Sequence, residues 1–177
     1  MKRNVEAFEY AGHICKSMKK GILLTTKSED KVNTMTIGWG KIGIEWNRPV
    51  FIAYVRETRF TKSMLDESGE FTVNIPYGEV DSSILGYCGK KSGRDTDKIK
   101  DLELTLVESD IVSAPGIMEL PLTLECKVIY KQKQDLSALP DEIVDRFYPV
   151  VADDDFRDYH IAYYGEIVNA YMIKQDS

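Results

Sequence analysis

The feature that most constrains this chain is a succession of short apolar runs, rich in β-branched and aromatic residues, each closed by turn-forming residues. "GILLTTK" (21–27), "VNTMTIGW" (32–39), "IGIEW" (42–46) and "VFIAYV" (50–55) follow one another with only "SEDK" and "NRP" as the main breaks. Ser and Asp in "SEDK" favour a turn because their side chains bond to nearby backbone. "NRP" is expected to break the chain's third run, because the residue before a proline avoids helix. Strands joined by such short connections pair antiparallel.

The pattern continues to the C-terminal end of the sequence. "EFTVNIP" (70–76) alternates Phe71, Val73 and Ile75 on one face, and "LELTLVES" (102–109) reads as a further strand. "LPLTLECKVIYKQK" (120–133) places Leu122, Leu124, Cys126 and Val128 on one face, and "YHIAYYGEIVNAYMI" (159–173) is a long final strand. Short helices are predicted over 5–19, 59–68, 79–88 and 140–148. The second ends at Gly69 as a left-handed cap would, and the last has Pro140 at its start. "GKKSGRDTDK" (89–98) is a polar loop. The expected fold is mainly β with a few short helices, a closed or partly closed antiparallel barrel, in one domain over 1–177.

Hydrophobic residues make up 43% and charged residues 29%, enough apolar material for a real core. The net charge of -6 argues against a nucleic-acid partner, whose phosphates demand clustered Lys and Arg. No apolar run approaches the roughly 20 residues that cross a bilayer, and "MKRNVEAFEY" lacks the apolar stretch of a signal peptide. Cys15, Cys88 and Cys126 are odd in number and far apart, which fits no disulfide framework and suggests a cytoplasmic location.

Several chemistries find no motif. There is no Gly-x-Gly-x-x-Gly after a strand and no Walker spacing in 89–98. His13 and His160 are distant and the cysteines lack zinc or ferredoxin spacing. Asp153, Asp154 and Asp155 read as a solvated acidic loop, since a calcium loop's glycine and terminal glutamate are missing.

Three segments carry the functional signal. "NTMT" (33–36) crowds short polar groups onto a strand. "VRETRFT" (55–61) joins a strand to a helix, and its Arg56, Thr58, Arg59 and Thr61 offer two guanidinium forks and two hydroxyls beside free helix N–H groups. That is the chemistry of a monophosphate cradle. Taken alone, the segment reads at least as well as an ordinary capped helix with two surface arginines. "CGKKSGRDTDK" (88–98) is the third.

Together with "GILLTT", "NTMTIGWG", "RPVF", "VRETRFTKSMLDESGEFTVNIP", "LECKVIYK" and "HIAYYGEI", in this order, these segments resemble the flavin reductase-like family, in its flavoredoxin branch of FMN-binding split barrels. The resemblance spans about Gly21 to Ile173. It implies an FMN-binding split β-barrel that binds FMN in a groove at a homodimer interface. Asn33, Thr34, Met35 and Thr36 would face the isoalloxazine ring, while Arg56, Thr58, Arg59 and Thr61 would hold the phosphate. Ser92, Gly93 and Lys98 would lie over the cofactor. Lys98 also reads as a surface lysine, Asp95 and Asp97 as helix caps, and Trp39 as a flavin neighbour or a core or interface residue. The resemblance further implies a catalytic His160 near the nicotinamide side of the flavin. The family's frequent Gly-Asp-His is replaced here by Asp158-Tyr159-His160, and a lone histidine also reads as structural. The implied activity is hydride or electron transfer from NAD(P)H, a small-molecule nucleotide substrate, to flavin. The rival readings are a flavoredoxin-type carrier fed by a redox partner protein, and a non-enzymatic flavin-binding barrel.

Overall fold

A computed structural model describes residues 1–151 and 155–174. In chain order the elements are β1 (Lys2–Asn4), α1 (Ala11–Met18), β2 (Ile22–Ser28), β3 (Lys31–Ile37), β4 (Gly40–Glu45), β5 (Arg48–Arg56), α2 (Phe60–Ser68), β6 (Glu70–Ile75) and α3 (Ser82–Lys90). They continue with α4 (Lys98–Asp101), β7 (Leu106–Val107), β8 (Gly116–Ile117), β9 (Leu122–Lys133), α5 (Asp141–Phe147) and β10 (His160–Ile173).

The main sheet runs β3-β2-β6-β9-β10-β5-β4, with every pair antiparallel. β1 adds to the far end of β10, and β7 and β8 form a separate small hairpin. β3 lies against β5, yet the two are not ladder neighbours. The sheet therefore curls into a barrel with a seam between β3 and β5, the split barrel expected from the sequence.

One core fills the barrel, where Leu24, Met35, Phe51, Phe71, Leu124 and Tyr163 meet beneath Ile14 and Met18 of α1. A smaller cluster of Leu23, Ile84, Cys88, Leu104, Ile117 and Leu120 packs α3 and the 104–120 segment on the outer face. That second layer is why Ile22–Thr26 and Phe71–Ile75 are buried without alternation. The polar side chains facing it are mutually satisfied: Asn74 Nδ2 donates to Thr25 Oγ1 at 2.9 Å, and Asn74 Oδ1 accepts from Ile117 N at 3.0 Å.

Two expectations change. Trp46 and Asn47, both with positive φ (51° and 57°), form the tight turn between β4 and β5, so the break falls one residue earlier than "NRP" and Arg48 and Pro49 already belong to β5. Pro49 sits inside β5 opposite Ile44, beyond the last residue that β10 pairs, where its missing N–H costs no ladder bond to β10. The expected strand 102–109 shrinks to Leu106–Val107. Residues 102–104 instead bond back to Lys98, Lys100 and Ile99, completing the α4 turn, and Glu103 takes a positive φ of 50°. The cap at Gly69 (φ 64°) is as expected, and Asp97 caps α4 by accepting from Lys100 N at 3.2 Å. Asp153 and Asp154 lie outside the described residues. No helix among the described residues is long and apolar enough to cross a membrane.

Candidate functional site

The seam holds two adjoining pockets that share Met35 and Arg59. The first, about 130 Å³, lies at the N-terminus of α2. β5 ends at Arg56 and α2 begins at Phe60, with Arg59 as an extended N-cap that supplies no side-chain cap bond. Lys62 N already donates to Arg59 O at 3.0 Å, which leaves the Phe60 and Thr61 N–H groups available to an anion. Arg59, Lys91, Arg94 and Lys98 all line this pocket, with no carboxylate among its lining residues. None of the four makes an ion pair with any described residue.

Lys98 is the unusual member. Only 4% of it is exposed, and its Nζ has one long bond, 3.4 Å to the Cys88 carbonyl. Burial pulls its pKa below 10.5; the neighbouring Cys88 opposes the shift and the Arg59 charge adds to it. Burial also pushes the Cys88 thiol up to about 11, so in this pocket it is a neutral wall. An ammonium without a counter-ion beside a guanidinium is costly to bury. A dianionic phosphate seated between them would remove that cost.

The pocket is clamped from both sides. Asn33 Nδ2 donates to Thr61 Oγ1 at 2.8 Å and ties β3 to α2. Gly93 packs against Asn33 so closely that a Cβ there would lie 2.1 Å from Asn33 Oδ1. Lys31 Nζ donates to Gly93 O at 2.9 Å, and Arg94 Nη1 donates to Thr58 O at 3.0 Å with its guanidinium 5.6 Å from the Phe60 ring. Ser92 Oγ accepts from Arg94 N at 3.2 Å and retains its own proton to donate. A wider recess of about 760 Å³ lies beyond this loop, but Glu29, Asp30, Asp95 and Asp97 line it and make it the poorer anion site.

The second pocket, about 180 Å³, is lined by the 35–39 stretch with Tyr54, Arg56, Arg59 and His160. A two-residue hairpin closes with a hydrogen-bonded pair, here Ser28 and Lys31. Alternation then ties the backbone of Asn33, Met35 and Ile37 to β2 and turns the N–H and C=O groups of Thr34 and Thr36 away from it; Thr34 is fully covered there, whereas Thr36 lines the pocket. His160 opens β10 opposite Arg56 and is buried (7% exposed) against Trp39, with ring centroids 4.8 Å apart. Tyr148 Oη donates to Gln134 Oε1 at 2.7 Å, and that same oxygen accepts from His160 N at 3.4 Å. Tyr148 Oη therefore accepts from His160 Nδ1–H at 2.9 Å, leaving Nε2 as an unprotonated acceptor. Burial, reinforced by the Arg56 charge, lowers the pKa of His160 to about 4 and keeps the ring neutral.

Most of the expected site residues gather at the seam, with corrections. Arg56 does not line the first pocket: its Nη1 and Nη2 donate to Asp158 O and Phe147 O at 2.6 and 3.0 Å, and it lines the second pocket instead. Thr58 lines the first pocket, but Asp158 takes its hydroxyl at 2.8 Å and its N–H at 3.1 Å. The Thr34 side chain points away from both pockets, accepting from Thr25 Oγ1 at 2.9 Å and donating to Leu24 O. Thr36 lines the second pocket, but its hydroxyl is taken: Oγ1 donates to Leu85 O at 2.6 Å. Sequence reasoning passed over Lys91, Arg94, Phe60 and Cys88. The density of cations in 89–98 was the available signal for the first two. Among the described residues, no three His, Cys, Asp or Glu side chains converge as metal ligands.

A sequence profile described as "Flavin reductase like domain" matches residues 16–177. The chain belongs to the flavin reductase-like family. An uncharacterized protein of Archaeoglobus fulgidus is 33% identical over 106 residues, a stretch covering 60% of this chain and 59% of that protein. Flavoredoxin from Methanosarcina acetivorans superposes with a TM-score of 0.62 at 26% identity, over 88% of this chain and 69% of that one. The FMN-binding domain of a flavin reductases-like enzyme from Shewanella baltica OS155 gives a TM-score of 0.64 at 15% identity, over 98% of this chain and 78% of that one. The fold is thus that of FMN-binding, flavin reductase-like proteins.

Proposed function

We propose that the chain is an FMN-dependent oxidoreductase of the flavin reductase type, taking electrons from NAD(P)H. The observation that carries this reading is the acid-free cradle of Arg59, Lys91, Arg94 and buried Lys98 at the start of α2, which fits a ribityl phosphate in charge and donor chemistry. The second pocket continues from it toward Trp39 and His160, where a planar ring would meet the free backbone edge of β3. Bound FMN would supply the hydride and electron chemistry. The protein's part is to hold and polarise. Arg59 and Lys98 fix the phosphate, and Ser92, Thr61 and the α2 amides complete its hydrogen bonds. The edge amide at Thr36 would donate to the ring's acceptor atoms and stabilise negative charge there. His160, neutral and with Nε2 free, offers an acceptor to a donor group on the nucleotide. Arg56 is a positioning residue that holds the 147–158 segment beside the ring.

A second copy of the chain is the assembly we propose. Exposed Trp46, packed against Tyr130 and Tyr164 on the outer sheet face, supports it by offering an apolar patch. The likeness to a flavoredoxin at 26% identity favours one alternative, a carrier with resident FMN that is reduced by a protein partner. Anaerobic mixing of FMN-loaded protein with NADH or NADPH separates the two. Rapid bleaching of the flavin band supports the reductase, bleaching only with a reduced redox protein supports the carrier, and failure to bind FMN at all sinks both.

A further inference from the structure

The ring-side pocket does not end at Trp39. On the far face of that indole a cavity of about 480 Å³ opens between α1 and Tyr54, sharing Gly38, Trp39 and Tyr54 with the ring-side pocket. Its walls are the Met18 thioether and two aromatic rings. Trp39 is 41% exposed, yet edge contact with Phe147 (5.3 Å) and the tilted contact with His160 hold it in place. It presents a fixed flat face rather than a loose side chain.

The cavity's polar side chains Lys19, Tyr54 and Gln134 can each donate a hydrogen bond. Lys19 makes no ion pair and Tyr54 Oη no hydrogen bond with any described residue. Gln134 uses Oε1 as an acceptor toward Tyr148 and His160, which turns its Nε2–H groups to the other side. No carboxylate lines the space. Two aromatic walls with donors and a single cation select a planar body with an acceptor oxygen.

We infer that this cavity binds a small planar aromatic compound carrying such an oxygen, an arene carboxylate or an aryl carbonyl, as the second substrate beside the flavin. Its role as a substrate site rests on the function proposed above; its capacity to bind does not.

Cys15 lines the cavity and is exposed, whereas Cys88 and Cys126 are buried, so its alkylation by N-ethylmaleimide reports occupancy. The full chain, with and without added FMN, is alkylated in the presence of naphthoate, acetylnaphthalene or methylnaphthalene and followed by mass spectrometry. Naphthoate, acetylnaphthalene or both should slow the reaction saturably, which also tells the anion from the neutral carbonyl, while methylnaphthalene should not. Lys19→Ala should weaken naphthoate protection roughly two- to fivefold, while Lys20→Ala, outside the cavity, should leave it unchanged. Equal protection by methylnaphthalene, or equal effects of the two lysine variants, overturns the inference. Fluorescence titration of FMN in the same samples separates the two readings. If FMN binds and no probe slows alkylation, this inference alone falls. If FMN does not bind, the second-substrate role falls with the flavin reading.

Discussion

Replacing Lys98 with Met should pull ligand affinity and stability in opposite directions. The ammonium is 4% exposed, faces Arg59 across an acid-free pocket and has one long bond to a carbonyl. A charge-assisted hydrogen bond to phosphate is worth about 1.5–3 kcal/mol, so Lys98→Met should raise the Kd for FMN by roughly 10- to 150-fold. Riboflavin, which lacks the phosphate, should lose almost nothing. In the ligand-free protein the effect reverses. The folded-state pKa of Lys98 lies below 10.5, so the unfolded chain holds that proton more tightly. The buried charge therefore costs stability at neutral pH, and the cost fades as pH rises from the folded-state value toward 10.5. Met fills similar space without charge, so the thermal midpoint of the ligand-free variant should match or exceed that of the parent. The assays are flavin fluorescence titration with both ligands and thermal unfolding without ligand. Equal losses for FMN and riboflavin, or an unchanged FMN affinity, would refute the phosphate assignment. A marked fall in the midpoint would refute the claim that the charge is unpaired.

Other perturbations probe the neighbouring assignments. Arg59→Ala should weaken FMN about tenfold or more, whereas Arg56→Ala should spare the phosphate contribution and cost about 1–3 kcal/mol of stability by freeing the Asp158 and Phe147 carbonyls; titrations giving the reverse order would restore Arg56 to the cradle. Thr34→Val should cost about 1 kcal/mol in urea unfolding through its lost bonds to Thr25 and Leu24, with FMN affinity unchanged; a large affinity loss would mean that the hydroxyl reaches the ligand after all. Gly165→Ala would place a Cβ 2.4 Å from Phe71 Cζ and 2.8 Å from Cys126 Cβ inside the barrel, so a thermal melt should show about 1–3 kcal/mol of destabilisation; an unchanged midpoint counts against that packing. His160, lowered from 6.5 to about 4, binds fewer protons folded than unfolded, so its contribution is intact above pH 6.5 and is lost as pH falls toward 4. The loss amounts to at most about 3 kcal/mol, and His160→Gln should flatten the fall in urea-derived stability over that window by a comparable amount.

Much of the fold was legible because its signals are local. Alternation in "EFTVNIP", the glycine after "TKSMLDES" and the run of cations in 89–98 each say something true within a few residues of themselves. The misreadings fall where a neighbour outvoted local chemistry. Pro49 is tolerated because β10 stops pairing one residue away, and 102–104 fold back because α4 offers carbonyls. At the site, residue types in "VRETRFT" suggested phosphate, but the amino-acid order cannot say which of two arginines three residues apart turns inward. The carbonyls of Phe147 and Asp158, far along the chain, draw Arg56 to the second pocket alone, while Arg59 lines both. Likewise Thr34 and Asn33 are adjacent in the chain but opposite in space, because a strand alternates its side chains between two faces. Lys98 looks like any loop lysine until α3 and β3 close over it. Composition and periodicity select the strands and the kinds of donor. The curl of the sheet brings distant segments together at the seam, and that alone settles which donors share one pocket.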